Sequence, residues 1–395
     1  MKFTPLVAVS ALAGKQSVVT LSAQERALLA VQLAQWEQEF GKDAFAQGLL
    51  PHVESADVLE DKMQRLLDTK FEVEQARLLN PDATFDWKHP FALMTESEFK
   101  TYVKVSFNQG SQPFVNTTAV ANVGASVASV VDWTTKCNPP VRNQGSCGSC
   151  WAHAAVGVAE AAHCLATGQL LSLSVQQVTS CSTEGGSQGC NGGFPWYAID
   201  YATQGLCLDS EWPYAGQTGP CSRHCNKQRL SIGESIQVSG EGGTISALNN
   251  QPVSATVEAG NYVWKNYQGG VVSQCPGGQS DHAVIAVGYD DQSIKIKNSW
   301  GTGWGEGGYM RLRRGVGGQG TCNVVGAVAY PRLSTKPNPQ PSPSPVNPTP
   351  GPQPSCGNCN ACYYPGGDSC LAEFTQYDCD YYSATYGTVW CGGNY

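Results

Sequence analysis

The cysteines are distributed so unevenly that they divide the chain before any other feature is considered. All 17 lie after residue 136: eleven fall between Cys137 and Cys322, and six between Cys356 and Cys391. So many thiols in one chain are typical of an oxidising compartment, where they pair as disulfides. Because 17 is an odd number, at least one thiol is left over and needs a chemical explanation.

The first residues predict export. Lys2 precedes an apolar stretch from 3 to 13, and Ala11-Leu12-Ala13 has the small-x-small form of a signal-peptide cleavage site. The alternative is a frayed helix or a short buried strand. We expect residues 1–13 to be a signal peptide and the protein to be secreted, or delivered to a lysosome-like or vacuole-like compartment.

The remaining composition narrows the class of protein. With 395 residues, of which 41% are hydrophobic, the chain can form two or three structural units with a sizeable core. Its formal net charge of −8 offers no basic surface to a nucleic-acid backbone, so nucleic-acid binding is not expected. No apolar run reaches the roughly 18 residues that span a bilayer, so a transmembrane segment is not expected either.

Shifts in composition mark domain boundaries. Residues 22–80 contain good helix formers in an apolar repeat and predict a mostly helical region. The small residues of 124–131 form a cleavable junction, and Asn116-Thr117-Thr118 is a glycosylation sequon at Asn116. We therefore expect a region at 14–126 and a separate domain at 127–333.

A spacer and a small module follow that domain. Nine prolines between 337 and 354 predict that segment 334–354 extends as polyproline II. Residues 355–395 hold six cysteines and are too few to form a core without covalent bridges. The Cys-x2-Cys-x2-Cys run that begins at Cys356 could instead hold an iron–sulfur or zinc site, but an oxidising compartment favours disulfides. We expect no metal and no cofactor.

Aromatic residues suggest a role for this module. Tyrosines and Trp390 are more numerous than so small a unit can bury, which favours a binding module with a cell-wall polysaccharide or another surface ligand as its partner. The alternative is that these residues form the module's own small core.

The most informative string is Gln144-Gly145-Ser146-Cys147-Gly148-Ser149-Cys150-Trp151-Ala152. Cys-x-x-Cys alone is ambiguous, because redox centres and zinc sites share its spacing. Here Cys150 stands where a glycine-rich loop turns into a predicted helix at 152–165. A helix N-terminus favours a thiolate there, and backbone N–H groups point at any oxyanion that forms nearby.

A base and a group that orients it appear further along. His282 opens an apolar strand 132 residues after Cys150, and Asn298 ends another strand 148 residues after it. With Cys190-Asn191-Gly192-Gly193, this pattern resembles the papain family of cysteine peptidases over about 127–333. The resemblance implies a two-lobed α+β fold: a helical lobe carrying Cys150 and a β-barrel-like lobe carrying His282 and Asn298.

The resemblance also implies the chemical roles. Cys150 attacks the scissile carbonyl, and His282 forms an ion pair with the thiolate and later protonates the leaving amine. Asn298 orients the imidazole, and Gln144 donates to the oxyanion. His153 stands where the family usually has an aromatic residue. It could be a rival base, but its position on the helix predicts a packing role.

Substrate contacts follow from the same resemblance. Gly192 and Gly193 are expected to pair with the backbone of an extended peptide. Trp300 is expected to shield the contact between the catalytic His and Asn, and Asp281 to modulate the ion pair. Trp304 is expected to border the primed side, the part of the cleft that binds residues after the scissile bond. Both tryptophans could instead be plain core.

The pocket for the side chain two residues before the scissile bond is expected to accept bulky apolar groups. Its floor, Ala327, is small and uncharged. Its expected lining is Phe194, Pro195, Thr256, Ser280, Ala283 and Ala327.

The resemblance implies three disulfides, Cys147–Cys190, Cys181–Cys221 and Cys275–Cys322. Without Cys150, the domain has ten cysteines and the tail six, so the leftover thiol is the nucleophile. The pairing of four further cysteines stays open: Cys137, Cys164, Cys207 and Cys225.

Residues 14–126 resemble, more loosely, the inhibitory propeptide of cathepsin-L-like members. The matching positions are Asp61, Arg65, Asn80, Phe91, Met94-Thr95 and Glu98-Phe99. Leu93 stands where these propeptides have an acidic residue, and His89 stands where Asn is usual. One hypothesis is that acid triggers activation because His89 becomes charged near pH ~6.5.

Two other functions fit parts of the sequence. A catalytically silent scaffold could bind ligands through the C-terminal module, although all four catalytic positions are intact. A thiol-disulfide oxidoreductase could use Cys147 and Cys150, which a Cys147–Cys190 bridge would exclude. We expect a monomeric endopeptidase, made as a zymogen, whose partners are protein or peptide substrates and its own propeptide.

Overall fold

The structure is a computed structural model that describes most of the chain. The described residues are 14–50, 57–104, 128–221, 225–334, 356, 359–373, 375, 376, 379, 383 and 388–391. The expected signal peptide, the sequon at Asn116 and the proline-rich segment from 335 onwards lie outside them. Contacts divide the chain into two compact units, Met1–Pro339 and Gln340–Tyr395.

The first unit begins with helices, as the apolar repeat predicts. Helix α1 (Ala23–Ala46) starts at a capping box, in which Ser22 and Glu25 satisfy each other's backbone N–H groups. Helix α2 (Val58–Leu79) packs its buried residues against α1. Strand β1 (Ala83–Phe85) and helix α3 (Glu96–Lys104) complete the part of this N-terminal region that the structure describes.

Helices then form one lobe of the following domain. After strand β2 (Val131–Asp132) come α4 (Cys150–Thr167), α5 (Val175–Cys181) and α6 (Pro195–Ala202). Helix α4 is buried from its first residue to Cys164, because it is rich in small and apolar residues and its buried Glu160 is paired with Arg142. It ends at Gly168, whose left-handed conformation glycine adopts without strain.

Strands dominate the other lobe. Its elements are β3 (Ile232–Val238), α7 (Gly240–Leu248), β4 (Val253–Val257), α8 (Tyr262–Asn266), β5 (Tyr267–Val272), β6 (His282–Tyr289), β7 (Ser293–Lys297), β8 (Tyr309–Arg313) and β9 (Val328–Leu333). The sheet has the order β1-β5-β8-β7-β6-β4-β9-β3, and β2 pairs with β6. Neighbouring strands are antiparallel except β5 and β8. Strand β1 thus adds the N-terminal region to the edge of this sheet.

Strand β6 joins the two lobes because both of its faces are buried. Ala283, Ile285 and Val287 belong to the core around α4, whereas Val284 and Ala286 belong to the core of the sheet. This alternation follows the two-residue period of a strand. The contact with α4 is close: a Cβ on Gly157 would lie 2.3 Å from Cδ1 of Ile285. The predicted α+β fold with helical and sheet lobes is confirmed.

Disulfides hold the first unit together. The three expected bridges, Cys147–Cys190, Cys181–Cys221 and Cys275–Cys322, are present. The open pairings resolve as Cys137–Cys164 and Cys207–Cys225. Cys150 keeps its thiol, as the odd count predicts.

The second unit is a small sheet held by three bridges. Strands β10 (Cys362–Tyr364), β11 (Ser369–Leu371) and β12 (Val389–Trp390) have the order β11-β10-β12. The bridges are Cys356–Cys391, Cys359–Cys370 and Cys362–Cys379. These bonds consume the thiols that an iron–sulfur or zinc site would need. Among the described residues, no helix is long and apolar enough to cross a membrane.

The Cys137–Cys164 bridge is expected to stabilise the helical lobe. It closes a loop with a sequence separation of 27, so the double substitution Cys137→Ser/Cys164→Ser should lower the free energy of unfolding by about 3 kcal/mol. Thermal and urea unfolding would measure this loss. The matched pair Cys207→Ser/Cys225→Ser, with a separation of 18, should lose slightly less. An unchanged midpoint for the first variant would contradict the assigned pairing.

Candidate active site

The loop before α4 positions Cys150 as the first residue of that helix. The Cys147–Cys190 bridge and a hydrogen bond from Gly148 N to Cys190 O (3.0 Å) fix the loop. Gly145 turns it with φ +59°, a conformation that favours glycine. The thiol of Cys150 therefore lies at the positive end of the helix dipole, where an anion is stabilised.

Two paired strands bring His282 and Asn298 together. His282 is the first residue of β6, and Asn298 follows the last residue of the antiparallel β7. The Nε2 atom of His282 lies 2.7 Å from Oδ1 of Asn298, so the ring donates its Nε2–H to the amide oxygen. Its Nδ1 atom is buried without a hydrogen-bond partner among the described residues. Because Ala283 N donates to Sγ of Cys150 (3.3 Å), the thiol lies beside this end of β6.

The ring of Trp300 packs against His282, next to the His282–Asn298 contact. The rings of Trp300 and His282 have centroids 4.9 Å apart, and both side chains are buried. Trp304 packs against Trp300 at 5.2 Å and donates through Nε1 to the backbone oxygen of Trp264 (2.9 Å). These rings exclude water from the Asn298 hydrogen bond, and so strengthen it.

The amide of Gln144 is held beside the nucleophile loop from both ends. Its Oε1 atom accepts from Ser299 Oγ (2.6 Å), and its Nε2 atom donates to Cys147 O (3.1 Å). Its backbone oxygen accepts from the hydroxyl of Tyr214 (2.8 Å). Sequence reasoning missed Ser299 and Tyr214 as positioning residues. Ser299 follows Asn298 directly and could have been suspected, whereas no pattern connects Tyr214 to this loop.

His153 is oriented away from a catalytic role. Its Nδ1 atom lies 3.0 Å from the backbone oxygen of Ser149, and its ring packs edge-on against Tyr214 with centroids 4.8 Å apart. Burial lowers the pKa of His153 to about 3, so the ring stays neutral in this position. The geometry agrees with the expected packing role and not with a rival base.

A cleft between the lobes contains part of the expected substrate pocket. Four of the expected residues line the same cavity: Phe194, Thr256, Ser280 and Ala327. Pro195 and Ala283 lie outside this lining. Pro195 is the buried first residue of α6, and Ala283 belongs to the core around α4.

The glycines and Asp281 have specific structural contacts. Gly192 has φ +104°, and its oxygen already accepts from Gln188 N (2.8 Å). A Cβ on Gly193 would lie 2.5 Å from the Trp151 ring, so no side chain fits there. Asp281 accepts from the N–H of Ala259 (2.7 Å), and burial raises the pKa of this carboxyl.

The N-terminal region lies over this site. Phe91, Phe99 and Tyr102 surround Trp300, with ring centroids at 5.8, 5.6 and 6.3 Å. Burial raises the pKa of the Tyr102 phenol, and the neighbouring Tyr214 and Cys150 raise it further. Cys150 and His282 are consequently fully buried.

Polar contacts hold the same region in place. Oδ1 of Asn80 accepts from the backbone N–H groups of Ser273 and Gln274, each at 2.8 Å. Arg65 pairs with Asp61 and Glu98 and also donates to the backbone oxygen of Leu93. The three motif residues thus join α2 to α3 and to the edge of the sheet, while the Leu93 side chain is buried and offers no charge.

His89 is buried and hydrogen-bonded at both ring nitrogens. It donates from Nε2 to Asn266 Oδ1 (2.8 Å) and accepts at Nδ1 from Phe91 N (3.2 Å), which the neutral ring alone can do. Burial, with the positive charge of Lys265, lowers the pKa of His89 to about 3. The ring is therefore neutral in the covered state, and the hypothesis that acid acts through His89 near pH ~6.5 requires that the residue is charged once it is uncovered.

Comparisons with known proteins agree with this arrangement. Residues 127–332 match the profile described as papain family cysteine protease. Papain of Carica papaya is 38% identical over 253 residues, which cover 61% of this chain and 72% of papain. The senescence-specific cysteine protease SAG39 of Oryza sativa subsp. japonica is 36% identical over 259 residues, which cover 61% of this chain and 75% of the relative.

Solved structures of proforms extend the similarity to the N-terminal region. The proform of Amb a 11, a ragweed pollen cysteine protease, has a TM-score of 0.68 at 26% identity, covering 80% of this chain and 97% of that one. Digestive procathepsin L 3 of Tenebrio molitor has a TM-score of 0.64 at 26% identity, covering 78% and 99%.

The two pKa values of His89 predict how acid loosens the N-terminal region. In solution the pKa is about 6.5, whereas in the covered state it is about 3. Above pH 6.5 His89 is neutral in both states; as the pH falls below 6.5 the uncovered state binds the extra proton, which favours uncovering by up to tenfold per pH unit. His89→Asn removes this contribution, so acid-induced processing should require a lower pH, as a pH series would measure.

Comparing His89→Asn with wild type tests His89 alone, because the neighbouring Glu72 and Lys265 are unchanged in the variant. Equal unfolding temperatures of the two proteins at pH 8 would be the control. A processing midpoint that does not move would contradict the prediction.

Proposed function

Because this chain belongs to the papain family of cysteine proteases, we propose that Cys150 and His282 hydrolyse peptide bonds within protein substrates. The observation that carries the proposal is the orientation of His282. Asn298 occupies its Nε2 atom and leaves Nδ1 for proton transfer, next to the residue whose N–H contacts the Cys150 sulfur. This division of the two ring nitrogens is what a thiolate nucleophile and its acid–base partner require.

The reaction follows from these positions. The Cys150 thiolate attacks the scissile carbonyl carbon, and the electron pair of the C=O bond moves to the oxygen. The Gln144 amide and the Cys150 N–H stabilise that oxyanion. The imidazolium of His282 then donates its Nδ1 proton to the amine as the C–N bond breaks. Water, deprotonated by the same nitrogen, releases the acyl group as a carboxylic acid and restores the thiol.

The proposal includes a precursor that is inactive while the N-terminal region covers the site. Burial lowers the pKa of His282 to about 4, although the bond to Asn298 opposes this effect. A neutral imidazole cannot form the ion pair with a thiolate. Removal of the N-terminal region exposes the ring to water, and this favours its charged form.

The cleft supports a preference for a bulky apolar side chain two residues before the scissile bond. Phe194 provides an aromatic wall and Ala327 a small uncharged contact within one cavity. The Asp281 carboxylate is held by backbone N–H groups and is not directed to a basic substrate side chain.

We further propose the organisation expected from the sequence: signal peptide 1–13, propeptide 14–126, catalytic domain 127–333, linker 334–354 and module 355–395. The family match ends at residue 332, which supports the third boundary. Eight disulfides support passage through an oxidising compartment. In the module, the strand residues Tyr363, Tyr364 and Trp390 are partly exposed, which supports binding to a surface such as a polysaccharide.

Activity towards a fluorogenic Phe-Arg or Leu-Arg peptide tests the catalytic assignment. After mild acid treatment with a reductant, hydrolysis should appear as the propeptide is lost and should be absent in Cys150→Ala. An added protease would remove the propeptide from wild type and from Cys150→Ala alike, so that a difference in activity comes from the thiol and not from incomplete processing. A wild-type enzyme that is processed and stays silent would support the catalytically inactive scaffold.

Gln144→Ala tests the oxyanion contact. Loss of one donor should lower kcat by about 10²–10³ while KM changes little, because the donor acts on the transition state. Steady-state kinetics of the processed enzyme would measure this. Gln292→Ala, at an exposed position, is the matched control and should retain full activity. A loss confined to KM would contradict the role.

A further inference from the structure

Lys265 is a buried cation whose partners all come from the propeptide. It lies on α8, and its side chain is 1% exposed. Among the described residues, its Nζ atom contacts Glu72 Oε2 (2.7 Å), Thr69 Oγ1 (3.1 Å) and Met94 O (2.8 Å). None of these belongs to the catalytic domain. Processing therefore removes each of these contacts and leaves the ammonium group facing solvent.

The neighbouring residue completes an arrangement that suits a carboxylate. Asn266 Nδ2 lies 3.4 Å from the same Glu72 oxygen that contacts Lys265. An ammonium group and an amide N–H thus converge on one carboxylate oxygen, and charge-assisted hydrogen bonds of this kind are the strong ones. In the precursor, Glu72 occupies this position.

Packing places this pair beside the primed side of the cleft. Trp264, which precedes Lys265, has its ring centroid 6.3 Å from that of His282 and 6.1 Å from that of Trp300. It is also bonded to Trp304. His282 protonates the leaving amine, so the peptide after the scissile bond leaves along this side. An extended peptide advances about 3.3 Å per residue, so its first three residues span about 10 Å, which exceeds the 6.3 Å between the rings of His282 and Trp264 on α8.

We propose that in the processed enzyme Lys265, with Asn266, binds the carboxylate of an aspartate or glutamate located within three residues after the scissile bond. The proposal rests on the peptidase activity proposed above and adds a substrate class to it: peptides that are acidic on the leaving side. Glu72 blocks this site in the precursor by supplying the same chemical group.

Paired substrates test the proposal with the processed enzyme. Quenched fluorescent peptides would carry Leu and Arg before the scissile bond, and either Asp or Asn at each of the first three positions after it. At one of these three positions the Asp peptide should have a kcat/KM about five- to tenfold higher than that of the matching Asn peptide, and 0.5 M salt should reduce this difference. In Lys265→Gln the ratio should fall to about one, whereas Lys227→Gln, an exposed cation elsewhere, should keep it.

Binding separates failure of this inference from failure of the proposed function. Cys150→Ala, processed by an added protease, would be titrated with the labelled Asp and Asn peptides. Tighter binding of the Asp peptide that depends on Lys265 would support the carboxylate site, whether or not the wild-type enzyme hydrolyses the peptides. Absence of hydrolysis by the wild-type enzyme would overturn the peptidase assignment alone. The inference would be overturned if the Asp and Asn peptides behaved equally at all three positions, or if the ratio between them were unchanged in Lys265→Gln.

Discussion

The pairing of β6 with β7 is the constraint on which the site depends. The pairing places His282, the first residue of β6, beside Asn298, which follows β7, although sixteen positions separate them in the sequence. The same β6 packs its other face on α4, through the close contact of Ile285 with Gly157. That contact fixes the helix that begins with Cys150. One strand buried on both faces therefore aligns the nucleophile and the base, although they come from different lobes.

Because this framework is complete beneath the N-terminal region, the inhibition that we propose acts by covering the site and not by distorting it. The Asn298 hydrogen bond and the Gln144 contacts are already formed beneath the propeptide. In the covered state aromatic rings pack around Trp300, and burial lowers the pKa of His282.

The sequence predicted the features that follow from local pattern, and not those that arise between distant segments. The strands and the position of Cys150 follow from local pattern and motif spacing, and the two lobes follow from the family resemblance that the motif carries. The Glu72–Lys265 pair joins residues 193 positions apart, and each looks like an ordinary surface charge in the sequence. The lowered pKa of His89 could not be predicted for the same reason, because it depends on burial and on Lys265, which is distant in sequence. For Pro195 and Ala283 the pocket role stays a prediction, since both are buried and lie outside the cavity that the other four residues line.

The buried Lys265 shows how a precursor can hold a charge that its mature form uses. Removing a lone ammonium group from water is unfavourable unless a partner compensates for it, so the propeptide must supply a carboxylate. A hydrophobic residue at this position would pack beneath the propeptide without that requirement. Lys265 therefore acts after cleavage, when the Glu72 carboxylate leaves with the propeptide and a substrate can provide another carboxylate. On this view Glu72 resembles a substrate side chain held in place, and the selectivity of the mature cleft is already visible in the contacts that keep it closed.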